Sequence, residues 1–387
     1  MYDKSIAVEF TEACSTMNVE VKPVRTRRER KQFLEYPWRL YRDTPQWMPP
    51  LRQNQKEMVG YARNPFYDDA EVQTFLAWRD GQVCGRVAAI LNHAHNRKFQ
   101  ERRGFFGFFE AIDDQDVATA LLDAVRAWLA ERNVTELRGP ANPSLNHECG
   151  LLIDGFDLPP TFMMTYNPPY YAKLIEGWGF RKTHDLLGFI GHIDQLPEVR
   201  ERLAGIVAGA RERLNVRIRP LDKSRFMEDV ELFLDMWNRS LFAMWGFVPI
   251  TGDEVRHMAA SLRWLLVPEL VFAAEADGAT VGVVIALPDY NPRIKEIDGR
   301  LFPFGFLRLL WNKRKVDRIR VIAINILPEY QRWGLGLVLL DSLVPAALAM
   351  GIKEIEFSWV SEANTMARKG LEKGGARHYK TYRMYDF

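Results

Sequence analysis

The chain has 387 residues, with 52 Lys plus Arg against 50 Asp plus Glu and a formal net charge of +2, so the overall balance gives no argument for nucleic acid and leaves any electrostatic function local. Cys14, Cys84 and Cys149 are too few for a disulfide framework and lack metal-ligand spacing, so no metal site is expected. The longest apolar runs, such as "WLLVPELVFAA", are broken by Pro268 and Glu269, short of the roughly 20 residues that span a bilayer, and the first residues lack a secretory pattern.

From Val19 to about His192 strand-like runs ("VEVKPVRT", "VQTFLAWRDGQVCGRVAAIL", "GFFGFFEAI") precede one amphipathic helix, "QDVATALLDAVRAWLAERN". A short strand "TELRGPA", a helix "PPYYAKLIEGWGF" opened by prolines and a strand-like "KTHDLLGFIGHI" complete this half. Residues 195 to 214 read as a connecting helix. The second half then repeats the order: helices "FMEDVELFLDMWNRSL" and "TGDEVRHMAASLRWLL", a hairpin turning at Asp277 and Gly278, the strand "RVIAINILP", the helix "GLVLLDSLVPAALAMG", the strand "IKEIEFSWV", a short helix from Asn364 and a last strand. The pattern predicts an α/β (α+β) protein with two related domains, 19–193 and 215–387, joined by a helix over 194–214.

The second half carries the chemistry. After the strand ending at Leu327, "LPEYQRWGLG" feeds into a helix with Gln331, Arg332, Trp333, Gly334, Leu335 and Gly336. A strand, a glycine turn and a helix N-terminus form a pyrophosphate cradle, because unpaired backbone N–H groups and the positive helix end point at the ligand. On Gln331, Gly334 and Gly336 in this setting the chain resembles the GCN5-related N-acetyltransferase (GNAT) superfamily. The resemblance implies two tandem GNAT-like domains, each a mixed, mostly antiparallel sheet flanked by helices. It implies acyl-coenzyme A (acyl-CoA) as co-substrate, with no tightly bound cofactor. It also implies strands that part at Ile326 and Glu356 to admit the pantetheine arm, with amides near Ile326 and Leu327 polarising the thioester, and Asn364 beside the site.

Direct attack by an amine needs a base, and often an acid for the departing thiolate. The sequence has Leu371 where many members place a tyrosine acid, so Glu362 and the last-strand tyrosines Tyr379, Tyr382 and Tyr385 are substitutes to test. In the first half, Asp113, Asp114 and Asp116 stand where the cradle would be and repel a pyrophosphate. No donor site is expected there. Its polar loop, Gly139 to Tyr171, holds Asn142, Asn146, His147 and Glu148, which either order the loop, or supply the base through His147 or Glu148, or hold the acceptor.

Residues 292–320 carry nine Lys or Arg and three Asp or Glu. Inside the insert (292–317) the stretch Leu301–Lys315, rich in Phe and Leu, either has the role its composition suits, an interfacial membrane contact, or packs on the protein's own core or the other domain with its cations paired. The tandem layout resembles a bacterial family of acetyltransferase-fold proteins, the bacterial ceramide synthases, which implies acylation of a membrane lipid amine such as a sphingoid base. The competing expectations are a cytosolic acetyltransferase of a small or peptide amine and a non-catalytic acyl-CoA-binding protein. The expected location is the cytoplasm, peripheral on the inner membrane if the insert meets lipid.

Overall fold

A computed structural model describes residues 19–242, 244–311 and 316–387. Cys14 and Asn312 to Lys315, part of the basic insert, lie outside the described residues. The first half contains β1 (Glu20–Pro23), α1 (Arg27–Leu40), α2 (Arg52–Met58), β2 (Ala70–Arg79), β3 (Gln82–Asn92), α3 (His93–Phe99), β4 (Arg103–Ala111), α4 (Gln115–Ala130), β5 (Glu136–Gly139), β6 (Ala141–Asn142), β7 (Glu148–Cys149), β8 (Leu151–Asp154), α5 (Tyr171–Trp178) and β9 (Arg181–His192). A connecting helix α6 (Leu196–Leu214) follows. The second half contains β10 (Arg217–Pro220), α7 (Phe226–Leu241), α8 (Gly252–Leu262), β11 (Val271–Ala276), β12 (Ala279–Pro288), α9 (Asn291–Glu296), α10 (Gly305–Leu310), β13 (Arg318–Ile326), α11 (Leu335–Met350), β14 (Glu354–Ser361), α12 (Thr365–Lys373) and β15 (Arg377–Asp386).

Local chemistry sets many of these boundaries. Thr26 and Thr251 start α1 and α8 with reciprocal capping boxes to Glu29 and Glu254, each satisfying two otherwise orphaned donors. The run read as one strand-like stretch over 72–91 is a hairpin: Asp80 and Gly81 both have positive φ, as do Asp277 and Gly278 in the second half. Two such residues make the tight turn that matches strand twist. The polar loop of the first half holds the two-residue pair β6–β7 and β8, which adds to β15.

The two halves share one sheet, in the order β1-β2-β3-β4-β5-β15-β9-β14-β13-β12-β11-β10. At its centre the terminal strands are exchanged. β15 of the second half pairs with β5 of the first, and β9 of the first pairs with β14 of the second; β9 and β15 also pair with each other. Tyr382, Met384 and Tyr385 of β15 are fully buried. Helix α4 covers the first half through Val117, Leu121, Leu122, Val125 and Leu129. Helix α11 covers the second through Leu335, Val338, Leu339 and Leu343, each presenting an apolar stripe at helical spacing.

Candidate active site

The site begins where two parallel strands part. β13 and β14 pair from Arg318↔Glu354 to Val321↔Phe357 and then separate. The start of the gap is held by Arg320, a buried cation on β13. Its Nε donates to Ser358 Oγ at 2.8 Å, and its Nη2 to the Ser358 carbonyl at 3.2 Å. Its Nη1 donates to the Phe162 and Met163 carbonyls of the first half, both at 2.9 Å. Ser358 Oγ in turn donates to Glu356 Oε1 at 2.7 Å, so a carboxylate with no solvent exposure shares a network with the guanidinium, as a buried charge requires.

Of the two amides expected at the thioester, one is already used. The Leu327 N–H donates to Val281 O at 3.0 Å, which makes that a hydrogen-bonded pair. Ile326, opposite Gly282, is then a non-bonded position whose N–H turns away from β12, toward the gap. Leu327 is corrected to a structural role, and Ile326 keeps the geometry of a donor.

Past Leu327 the chain makes a 3-10 turn, Pro328–Trp333, and enters α11 through Gly334. Gly334 has φ +82°, a conformation glycine adopts at no steric cost, and α11 begins without a side-chain cap. Its first N–H groups are therefore free to meet an anion. Gln331 does not reach outward from this turn: its Nε2 donates back to Ile326 O at 3.0 Å and fixes the turn. Arg332 and Trp333 are exposed, with Arg213 of α6 stacked 3.5 Å over the Trp333 ring. Leu335 is buried in the core, whereas Gly336 lines the adjoining cavity.

The first half has the same parting strands but fills them with its own chain. β4 and β5 pair only from Arg103 to Phe105. Beyond that, Asn142 Oδ1 accepts the Phe108 N–H at 2.6 Å, and a Cβ on Gly107 would meet Ala141 O at 1.8 Å. The N-terminus of α4 is capped by Asp114, which accepts from the N–H groups of Asp116 and Val117 and pairs with Arg79 at 2.7 Å. Its anion-binding capacity is spent on a carboxylate of the chain itself.

A cavity of 1410 Å³ runs through the open gap of the second half. Its walls come from α6, α7, α8, α11 and α12 and from first-half residues 145–149. The sequence reading missed the α7 wall, Phe226, Val230, Phe233, Leu234 and Trp237. Their helical spacing was legible, but it does not distinguish a face against a core from a face against a ligand. Arg320 was missed as well, and Glu356, expected where the strands part, is still paired with Arg320; the signal of both is a charge inside an otherwise apolar strand, which has to be paired.

His147 and Glu148 line the cavity from the first half, and Asn364 lines it while capping α12 through the Ala367 N–H at 3.0 Å. His147 Nδ1 shares a hydrogen bond with Ser144 Oγ at 2.8 Å. Burial lowers the imidazole to about 4, so the ring is neutral at ordinary pH. Burial raises the Glu148 carboxyl, with the Arg320 charge opposing it. A neutral imidazole and a carboxylate of raised basicity thus face the gap. Glu362 and Tyr382 are not among the cavity-lining groups. Glu362 pairs with Lys182 at 2.8 Å and accepts the Asp185 N–H at 2.9 Å. Tyr382 packs with Leu152 and Met164, and burial first, then Glu356, holds its phenol well above the usual range. Both are corrected to structural positions, as is Tyr385, whose hydroxyl donates to Glu176 at 2.9 Å.

A gap between parallel strands that opens onto an uncapped, glycine-led helix defines an acyltransferase of the GNAT type. The chain belongs to the acetyltransferase (GNAT) family, whose model matches residues 234–375, and the family uses acyl-CoA as co-substrate. Along nearly its whole length it is similar to the bacterial ceramide synthase of Caulobacter vibrioides (strain NA1000 / CB15N), 35% identical over 379 residues covering 95% of this chain and 97% of that one. It is also similar to Protein YghO of Escherichia coli (strain K12), 34% identical over 366 residues and 92% of each chain. The fold is that of a tandem GNAT protein from the clavulanic acid biosynthesis pathway, at a TM-score of 0.56 with 12% identity over 96% of this chain and 98% of that one.

Proposed function

We propose that the protein transfers a long acyl chain from acyl-CoA to the amine of a membrane lipid of the sphingoid-base class. The observation that carries this reading is the apolar cavity: at 1410 Å³ it exceeds the roughly 300–1,000 Å³ of a small-molecule site, and it joins the glycine turn to His147 and Glu148. The similarity to a protein named bacterial ceramide synthase supports the same acceptor class.

In this reading Gly334, Leu335 and Gly336 present backbone N–H groups to the donor pyrophosphate. Gln331 holds the turn, and Arg332 and Trp333 border it. Ile326 donates its N–H to the thioester oxygen as the tetrahedral intermediate forms. Glu148, directly or through neutral His147, takes the proton of the attacking ammonium. The N–C bond forms, the C–S bond breaks, and the thiolate leaves with a proton from solvent or from the base. The first half contributes chemistry without binding a donor. In this reading the described part of the insert's apolar stretch, residues 301–311, makes the peripheral membrane contact, and the enzyme works at the cytoplasmic face of the inner membrane.

The test is turnover of acyl-CoA donors of two to eighteen carbons against a sphingoid base and a panel of soluble amines, with products read by mass spectrometry. N-acylation of the sphingoid base by long donors is expected. Turnover of acetyl-CoA with a soluble amine alone would replace the lipid reading with a small-amine acetyltransferase. Donor binding with no product across the panel would replace it with a binding protein.

A further inference from the structure

The insert exposes side chains that a water-facing surface has no reason to carry. Phe302 is 83% exposed, Phe304 72%, Leu307 53% and Trp311 79%. Underneath, Leu309 of α10 is buried with Leu265, Tyr290 and Ile294, and Leu262, Leu301 and Leu310 pack against them. Helix α10 is therefore anchored through Leu309, with exposed Leu307 on it and exposed Phe302, Phe304 and Trp311 flanking it. Arg293 Nη1 donates to the Leu309 carbonyl at 3.3 Å and to that of Trp311 at 2.5 Å, fixing the end of α10. Trp264, just past α8, is 61% exposed and stands between Leu262 and Leu265, both members of the same cluster. Two segments about 40 residues apart therefore meet at that cluster.

Helix α8 joins this patch to the cavity. Val255, Met258, Ala259 and Leu262 recur at helical spacing along it and line the cavity. Leu262 belongs both to that wall and to the cluster under α10. A continuous apolar track therefore runs from the exposed aromatic end to the chamber facing Glu148. Around the patch, Arg300 and Arg308 are exposed, pairing with Asp298 at 3.5 Å and Glu296 at 3.2 Å.

We propose that the aromatic end formed by α10 and Trp264 inserts into the interfacial zone of an anionic bilayer, and that the lipid acceptor leaves the bilayer along α8, past Leu262, into the cavity. The proposal rests on the lipid-acceptor reading above and adds Trp264 to the membrane contact, together with the route along α8. A bilayer is the occupant that fits because aromatic and aliphatic groups interleaved with cations suit the headgroup–acyl boundary. The track also ends in a chamber large enough for a hydrocarbon tail. A second protein would account for the patch but not for its continuity with the cavity.

The experiment compares the full chain with a Phe302→Ser, Phe304→Ser, Trp311→Ser variant and with Trp264→Ser, none of which touches the cavity. Co-sedimentation is measured with vesicles of phosphatidylcholine alone and with added phosphatidylglycerol. The unmodified chain is expected to sediment with the anionic vesicles, less so at high salt. The triple variant is expected to lose at least tenfold in partitioning and Trp264→Ser to lose severalfold, with unchanged thermal unfolding. On an amine embedded in vesicles the triple variant should fall at least tenfold in turnover, while on the same amine in detergent it should match the unmodified chain.

Sedimentation of the triple variant like the unmodified chain overturns the docking surface. Lost sedimentation with full turnover of the embedded amine overturns the route. If the unmodified chain binds no vesicle and the substitutions instead dissolve an oligomer seen by light scattering, the patch is a protein interface and the proposal fails. If no long-chain amine is turned over even in detergent, the acyl-transfer reading fails by itself, and sedimentation still decides the surface.

Discussion

The two glycines of the donor turn separate stability from binding. Gly336 is the second residue of α11, outside the left-handed region, and a Cβ there would meet Ile326 Cδ1 at 3.4 Å, an ordinary contact. Gly336→Ala should therefore stabilise the fold by about 0.4–1 kcal/mol, mainly by restricting the unfolded chain. Gly336 also lines the cavity, beside the uncapped N–H groups, where an added methyl takes up space meant for the ligand. Losing one hydrogen bond to a charged group costs about 1.5–3 kcal/mol, so acyl-CoA should bind roughly 10- to 150-fold more weakly. Gly334→Ala should weaken binding too, but destabilise: at φ +82° a side chain costs about 1–2 kcal/mol, and its Cβ would crowd Ala210 at 3.3 Å. Urea unfolding and calorimetric titration with coenzyme A measure the two quantities. A Gly336→Ala chain that is more stable and binds coenzyme A with unchanged affinity would refute the cradle, since the methyl would then lie where no ligand passes.

Three further outcomes follow from the site and its supports. Glu148→Gln should lower kcat by 10²- to 10⁴-fold. Because burial raises this carboxyl, the acid limb of kcat/KM should lie above the ordinary carboxylate range in the unmodified enzyme and flatten in the variant; an unchanged profile removes Glu148 as base. Arg320→Met strands buried Glu356 and two first-half carbonyls, with an expected loss of about 3–5 kcal/mol in urea unfolding. His95, buried and lowered to about 4 mainly by that burial, binds its proton less readily folded than unfolded. Its contribution is complete above about pH 6.5 and is lost toward pH 4 at roughly 1.4 kcal/mol per pH unit. A His95→Asn chain should consequently lose about 2 kcal/mol less than the unmodified chain between pH 7 and pH 5.

The sequence was most legible where backbone chemistry restricts residue choice. The runs 115–130, 226–241 and 335–350 are helices because their apolar positions recur at helical spacing. The donor turn shows itself because a left-handed residue before a helix favours glycine. The aspartates at the start of α4 likewise announced a cap. Side-chain roles were harder to read. Glu362 looked available until Lys182 and the Asp185 N–H, some 180 residues earlier, were seen to occupy it. Gln331 looked like a ligand contact, and a carbonyl five residues back claims its amide. Trp264 gave no signal, since an isolated tryptophan after a helix is equally at home in a core.

The exchange of β9 and β15 also has a consequence for biosynthesis. β5 pairs with β15, a strand that begins about 240 residues further along the chain, so at roughly 5–20 residues per second the ribosome leaves one edge of the first-half sheet open for roughly 10 to 50 s. β9, made in the meantime, has neither of its final neighbours. Both strands present unpaired backbone groups to other nascent chains during that interval. The protein is thus an expected client of chaperones that shield sheet edges, and severing it at α6 should yield two fragments that are soluble only when produced together.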